Sequence, residues 1–578
     1  MHQIDRRIGL LFGAFLALLA IASLRAAYLG IFRSGALSSF ATSQAVQNKV
    51  IPAVRGMVTD RNGQVLALSE SADEVIADPY LIVNPQATAR TLAPLLGMSV
   101  PKVVAGLTQA HTGYVTLAYD VPSANATQIM GMHINGISDK PVEQRVYPLG
   151  STAAQVLGWV NASGSGAAGI EYVLNRRLAG RAGVTRIVED GNQQAIGVDQ
   201  TRPMQPGTKV ALTLSVPLQQ EVEKVLASTV ATYGGTAATA VVTNPQSGQI
   251  LADANWPFVN ANDIGATPLA NTADQSVNLS YEPGSTFKAI TLAGGLMDHT
   301  ITPDTVINEP SCLQVPYTTT CIADAESHGD VSYTVAKILA LSSNIGADLI
   351  AQRDTSPQDG LFPGSVRLNY WMHRFGFGRP TGVALNGESA GVLPALRNYS
   401  GATMYNLPFG QGQEVTPMQM IQFYGAIADG GVLRTPQIIL AENGRPVREP
   451  AGTRVMSPQV AAELRVMLRG VLGDGGTASG AQIPGYDMAG KTGTSQAVVH
   501  GQYSSSLYNA SFIGMVPVRH PKLLVYVLDM NVSNGYGGTV AGQAFQKIVG
   551  WAVPHFGINP CPSPCPSSAY APTTASIP

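Results

Sequence analysis

A serine three residues ahead of a lysine, Ser285 and Lys288, brings together the parts of an activated nucleophile. A free serine hydroxyl is a weak nucleophile at neutral pH, and an adjacent base activates it. A lysine desolvated enough to be neutral part of the time can be that base. Pro283 and Gly284 just before the serine are turn residues, and Phe287, Ala289, Ile290, Leu292 and Ala293 after it tolerate helix. The spacing therefore predicts Ser285 at the first turn of a helix. Lys288 would lie on the same face with its amine in reach of the hydroxyl. The helix N-terminus would add partial positive charge near the oxygen. Alone the spacing is weak: it arises by chance about once in a chain of this size. By itself it reads more readily as a helix start with a solvated lysine.

Two further motifs change that balance. Ser342-Ser343-Asn344 follows an apolar, helix-like run at 335–341, and Lys491-Thr492-Gly493-Thr494 lies on a late strand candidate. By themselves the first reads as a helix cap and the second as an ordinary glycine-containing strand. Together they offer a second hydroxyl for proton transfer and an amide to hold a substrate carbonyl. They also offer a cation with hydroxyls that could bind a carboxylate. Gly493 would let a substrate backbone approach the strand closely.

The elements that must position these residues divide the chain. Its 578 residues are enough for two or three domains. The formal charge of −2 and the 12% of charged residues show no basic patch for nucleic acid. Residues 8–24 are uncharged and apolar, preceded by Arg6 and Arg7. That run reaches the short end of a membrane span, and the basic pair favours an N-terminus inside and the remainder outside. Ala20-Ile21-Ala22 also fits a signal-peptide cleavage site, the competing reading. Residues 35–49, polar and rich in Ala and Ser, read as a helix leading out of the membrane. Strand signals at 57–59 and 65–68 flank Asp60-Arg61-Asn62-Gly63, a hairpin turn, and 70–205 is an irregular α+β stretch.

From 207 a second module begins, with a strand at 209–214, a helix at 217–231, and strands at 236–243 and 249–254. Strands at 488–499, 508–516 and 523–529 and a helix at 539–553 close it. The pattern is a sheet whose strands come from both ends of the domain, with helices between. Both readings of the N-terminus put this module in an oxidising compartment, so Cys312 and Cys321 are expected to form a disulfide rather than two separate thiols. Cys561 and Cys565 lie in a Pro/Ser-rich tail, 559–578, expected to be disordered, and their state is left open. Neither pair has the companions of a zinc site, so no metal is expected.

Ser-x-x-Lys, Ser-Asp-Asn and Lys-Thr-Gly in this order form the set known from β-lactamases and penicillin-binding proteins, and this chain has Ser-Ser-Asn in the second place. Nearly the whole chain resembles the class B penicillin-binding proteins, D,D-transpeptidases that cross-link peptidoglycan. Arg55-Gly56 with Asp60-Arg61-Asn62-Gly63, then Arg145, Gly150 and Gly169-Ile170-Glu171, resemble motifs of that family's N-terminal domain. Tyr281–Lys288, YEPGSTFK, is similar to the division-type and sporulation-type branch. Phe409-Gly410-Gln411-Gly412, Val415-Thr416-Pro417 and the run from Gly475 to Thr494 complete the match.

The resemblance implies an α+β fold in four stretches. These are a tail and membrane anchor (1–33), a pedestal of dimerisation type (34–205), a transpeptidase domain built on a five-stranded antiparallel sheet flanked by helices (206–556), and a tail (557–578). It implies Ser285 as the acylated nucleophile, Lys288 as its base, Ser342 as a proton relay, Asn344 on the substrate amide and Lys491 setting the local potential. The N–H groups of Ser285 and Thr494 would form the oxyanion hole, with Thr492 and Thr494 on the substrate's carboxylate. No cofactor is implied. The implied partners are D-Ala-D-Ala stem peptides, β-lactams, a SEDS-family glycan polymerase with other division proteins, and the inner membrane. A β-lactam hydrolase or sensor, and a catalytically silent scaffold, are the alternatives.

Two other patterns occur. Gly485–Thr492 satisfies G-x-x-x-x-G-K-[ST], but a phosphate loop needs a strand before it and a helix from its lysine, and neither is expected here. Glu171-Tyr172-Val173-Leu174-Asn175 matches the pattern that carries the deacylating glutamate of class A β-lactamases, but it precedes Ser285 by more than a hundred residues. It reads as a helix face of the pedestal.

Overall fold

The computed structural model describes residues 2–31, 46–189, 195–316, 318–360, 362–499, 501–562 and 565. A helix runs over His2–Ile31, and within it Arg6–Ile31 is long and apolar enough to cross a membrane. At about 1.5 Å per residue its 30 residues span about 45 Å, more than the hydrocarbon core of a bilayer. Val46–Ile51 is a strand, not the end of a helix as expected: it pairs with Gly183–Glu189, which in turn pairs with Ala195–Arg202. A polar stretch with no apolar period carries no signal of its own, and the neighbouring strand decides its state. The rest of the expected 35–49 helix lies outside the described residues, as does nearly all of the tail after 562.

The chain forms two compact units. The first comprises 1–55, 71–143 and 179–207, and the second 56–70, 144–178 and 208–578. In the first, strand residues Ala72–Ala77 pair with Val115–Pro122. Three helices, Pro85–Leu96, Val100–Leu107 and Ser123–Met130, complete a small core around Val75, Leu92, Val103 and Leu107.

The second unit is built on a five-stranded antiparallel sheet in the order Gln249–Trp256, Ala237–Asn244, Leu523–Val532, Gln502–Val516, Ala489–Val499. The last strand in the chain is thus the middle of the sheet. Side chains on a strand alternate between faces, and here both faces are buried. Val525 and Val527 pack in the core formed with Val216–Tyr233 and Ala541–His555. Leu524, Tyr526 and Leu528 point into the other core, with Ile290 and Leu292 of Lys288–Met297 and Tyr424 and Ile427 of Pro417–Ala428. This explains why 523–529 reads as one unbroken apolar run rather than an alternating one. Ala489–Val499 lies at the edge of the sheet, so one side of it is available to other groups.

Candidate active site

Pro283 and Gly284 make the turn that the sequence predicts, and Gly284–Phe287 is a short 3-10 helix running into the helix Lys288–Met297. The turn is locked from several sides. Gly284 N–H donates to Gly410 O at 3.0 Å, and Ser495 Oγ donates to Glu282 O at 2.8 Å. Phe287 is fully buried against Phe377, with ring centroids 5.4 Å apart. Gly410 has φ +91°, and a Cβ there would lie 2.1 Å from Gly284 O, so only glycine lets these backbones meet. Gly493 likewise faces the serine turn: a Cβ would lie 2.8 Å from Pro283 O and 2.3 Å from Ser511 Oγ. Its absent side chain makes room for the turn on the strand, a role that the expected close approach of a substrate does not include.

Ser285 is half-buried and lines a cleft of about 560 Å³, shared with Ser342, Asn344, Thr492 and Thr494. Lys288 is wholly buried beneath it. Its Nζ donates to Asn344 Oδ1 at 2.7 Å, to Ser342 Oγ at 3.2 Å and to the Ser342 carbonyl. Sequence spacing aimed this amine at Ser285. The three acceptors of the Ser-x-Asn motif take it instead, and among the described residues Ser285 Oγ has no hydrogen bond. Lys491, also wholly buried, reaches the same Ser342 Oγ at 2.8 Å and Thr492 Oγ1 at 3.3 Å. Ser342 therefore joins the two lysines. It sits at the junction of the helices Val335–Leu341 and Asn344–Arg353 with φ +63°, a left-handed conformation that ends one helix and lets the next begin. Such strain in a non-glycine residue persists where surrounding contacts hold it. Thr492 Oγ1 pairs with Thr477 Oγ1 at 2.9 Å, and Thr494 Oγ1 accepts from Gly537 N–H at 3.0 Å.

Burial pulls the Lys288 amine down to about 7, and the nearby carboxylates of Asp324, Asp348 and Glu309 hold it from falling further. Burial, reinforced by the charge of Lys288, pushes Lys491 well down. Burial raises Asp348 strongly and Glu309 to about 7.

Glu309, Asp324 and His328 were not singled out from sequence. They stand behind Asn344, each with one ligand-type atom, all within 4.8 Å of one another. A trio of this kind could accept a cation, but protein contacts account for each placement. Glu309 Oε2 accepts from Ser343 Oγ at 2.7 Å, and Asp324 Oδ2 lies 3.1 Å from His328 Nε2. Asp324 Oδ1 accepts from the N–H groups of Asn344 and Ile345. No local spacing could have revealed them.

Cys312 and Cys321 form a disulfide with Cα atoms 5.8 Å apart, as do Cys561 and Cys565 at 5.3 Å. Lys491 lies inside a strand, which no phosphate loop allows. Glu171 is paired with Arg145 in the second unit, Nε to Oε1 at 2.7 Å, both side chains buried.

Residues 238–550 match the model of the penicillin-binding protein transpeptidase domain, and residues 50–212 match that of the penicillin-binding protein dimerisation domain. This chain belongs to the penicillin-binding protein family. It is similar to the penicillin-binding protein PbpB of Mycobacterium tuberculosis, 31% identical over 95% of this chain and 85% of that one. It is 30% identical to the stage V sporulation protein D of Bacillus subtilis, over 95% of this chain and 85% of the relative. It is 27% identical to the peptidoglycan D,D-transpeptidase FtsI of Escherichia coli, over 96% of this chain and 93% of that one. Among solved structures, penicillin-binding protein 3 of M. tuberculosis complexed with ampicillin superposes with a TM-score of 0.69 at 29% identity, covering 90% of this chain and 99% of that one. The same protein complexed with aztreonam gives 0.68 at 28%, over 89% and 98%. As in the family generally, the two-domain α+β arrangement with an antiparallel sheet flanked by helices is the frame of this penicillin-binding protein.

Proposed function

We propose that this penicillin-binding protein is a peptidoglycan D,D-transpeptidase that works through an acyl-enzyme on Ser285 and is inhibited by β-lactams. The observation that carries the reading is the buried Lys288 amine, drawn down to about 7, 3.2 Å from a Ser342 hydroxyl that Lys491 also reaches. A lysine of that kind is neutral often enough at working pH to take a proton. Ser285 attacks the penultimate D-Ala carbonyl of a stem peptide. Its proton passes to Lys288, directly or through Ser342, and then to the leaving D-Ala amine. The oxyanion is met by the backbone N–H groups of Ser285 and Thr494. Asn344 holds the substrate amide, while Thr492 and Thr494, over Lys491, take its carboxylate. An amine from a neighbouring stem then attacks the ester and forms the cross-link.

A septal role is supported by the likeness of YEPGSTFK to the division and sporulation branch. The helix Arg6–Ile31 serves as a single membrane span with Arg6 and Arg7 inside and the catalytic unit outside. A SEDS-family glycan polymerase is the partner that the family resemblance implies, met through that helix and the first unit.

The test supplies a synthetic stem peptide ending in D-Ala-D-Ala and an excess of an amine acceptor. Wild type is expected to release D-Ala and form a new amide, and Ser285→Ala to do neither. Release of D-Ala by Ser285→Ala at the wild-type rate contradicts the reading.

A further inference from the structure

One wall of the cleft is a small hairpin closed by the Cys312–Cys321 disulfide. Leu313 and Gln314 pair antiparallel with Ile322 and Cys321, and both cysteines are exposed. Cys321, Ile322, Ala323 and Ala325 all line the cleft. The hairpin is fixed inward by Val315 and Ile322, which pack with Ile345 and Phe409 in a core separate from the main ones. Just after the disulfide the chain reaches Asn344 twice. Asn344 Nδ2 donates to Ala323 O at 2.9 Å, and its N–H donates to Asp324 Oδ1. The amide is thereby turned so that Oδ1 faces Lys288 Nζ at 2.7 Å. His328 Nε2, 3.1 Å from Asp324 Oδ2, holds the carboxylate from behind.

We infer that the disulfide-closed segment 321–324 is a positioning device for Asn344, and that Asp324 and the Cys312–Cys321 bond set the acylation rate through that one side chain. Without Ala323 O an amide can flip, and a flipped Asn344 would present its NH₂ to the lysine in place of its carbonyl. The bond restricts a hairpin whose two-residue strands are too short to hold register alone. Asp324 adds a charge-assisted cap at the start of the helix Asn344–Arg353. The inference rests on the acyl-transfer reading above and on the role given there to Asn344.

The test is a pair of double-mutant cycles on the full-length protein in detergent, reading the second-order rate of labelling by fluorescent penicillin. One cycle combines the Cys312→Ser/Cys321→Ser variant with Asn344→Ala; the other combines Asp324→Asn with Asn344→Ala. In the wild-type background each change is expected to slow labelling about tenfold, and in the Asn344→Ala background by less than about twofold, the non-additivity of residues acting through one another. Thermal melting of each variant accompanies the rates, so that the cysteine pair remains decisive if the Asp324 variant fails to fold. Equal slowing in both backgrounds, or no slowing in either, overturns the inference. Labelling of Ser285→Ala at the wild-type rate would instead remove the acyl-transfer reading beneath it.

Discussion

Lys288 and Lys491 meet at one serine hydroxyl, and among the described residues no carboxylate is hydrogen-bonded to either. Both are fully buried, and the charge of Lys288 disfavours that of Lys491. In the proposed acyl transfer the neutral amine takes the proton, and its fraction grows as pH rises through the folded pKa of Lys288. Penicillin acylation is therefore expected to climb with pH through about 7 and level off above it. A rate independent of pH from about 6 to 9 contradicts this assignment of the base. Lys491 makes a second prediction. An arriving carboxylate beside Thr492 reverses the cost of charging the amine, so binding should draw a proton from solution. Calorimetric titration of Ser285→Ala with a penicillin at pH 8, in two buffers of different ionisation heat, should give enthalpies that differ by the buffer term. Equal enthalpies refute proton uptake. At this scale the serine, the asparagine and the two lysines are legible in the sequence, because each belongs to a motif only a few residues long. Asp324, Glu309 and His328 are not, because they meet only when residues 309–328 fold against the helix Asn344–Arg353.

Elements hold the serine turn through glycines whose reasons lie far along the chain. Gly410 and Gly412 both have positive φ, +91° and +76°. A Cβ at Gly410 collides with Gly284 O, while at Gly412 the nearest atom is 3.9 Å away. Gly412→Ala should therefore cost about 1 kcal/mol of backbone strain with labelling intact. Gly410→Ala should cost more than about 2 kcal/mol and abolish penicillin labelling, because the serine turn must shift. Equal melting temperatures and equal labelling of the two variants would contradict the packing account. The strands of the central sheet are legible from apolar runs, and 489–499 and 523–532 fall within a few residues of expectation. The strand Gln502–Val516 begins six residues earlier than the 508 expected from sequence. Its first residues are polar, and pairing of Tyr503 with Val498 holds them rather than propensity.

At the scale of the whole molecule, the chain leaves and re-enters the larger unit, so that 56–70 and 144–178 pack with 208–578. No shift of composition marks those crossings, because contacts and not residue types define them. Arg145 and Glu171 show how the middle segment is held: a buried pair with side chains 2% and 1% exposed. Arg145→Ala removes one partner of a buried ion pair and should destabilise the protein by about 3–5 kcal/mol in denaturant unfolding. A loss below about 1 kcal/mol would mean that the pair is dispensable. The N-terminal helix is expected to stay attached. Intact mass of protein purified from membranes should include residues 1–25, whereas a mature N-terminus at Ser23 would mean a cleaved signal.

Ser285 is expected to form an acyl-enzyme that water does not readily clear. Hydrolysis of such an ester needs a base placed to activate water. The one glutamate in a hydrolase-like pattern, Glu171, is taken up by Arg145. The direct measurement is a time course of fluorescent penicillin on the purified protein after removal of free drug. The label is expected to persist for many minutes on wild type and to be almost absent from Ser285→Ala and Lys288→Ala. Rapid loss of label with many equivalents of drug consumed would contradict the account.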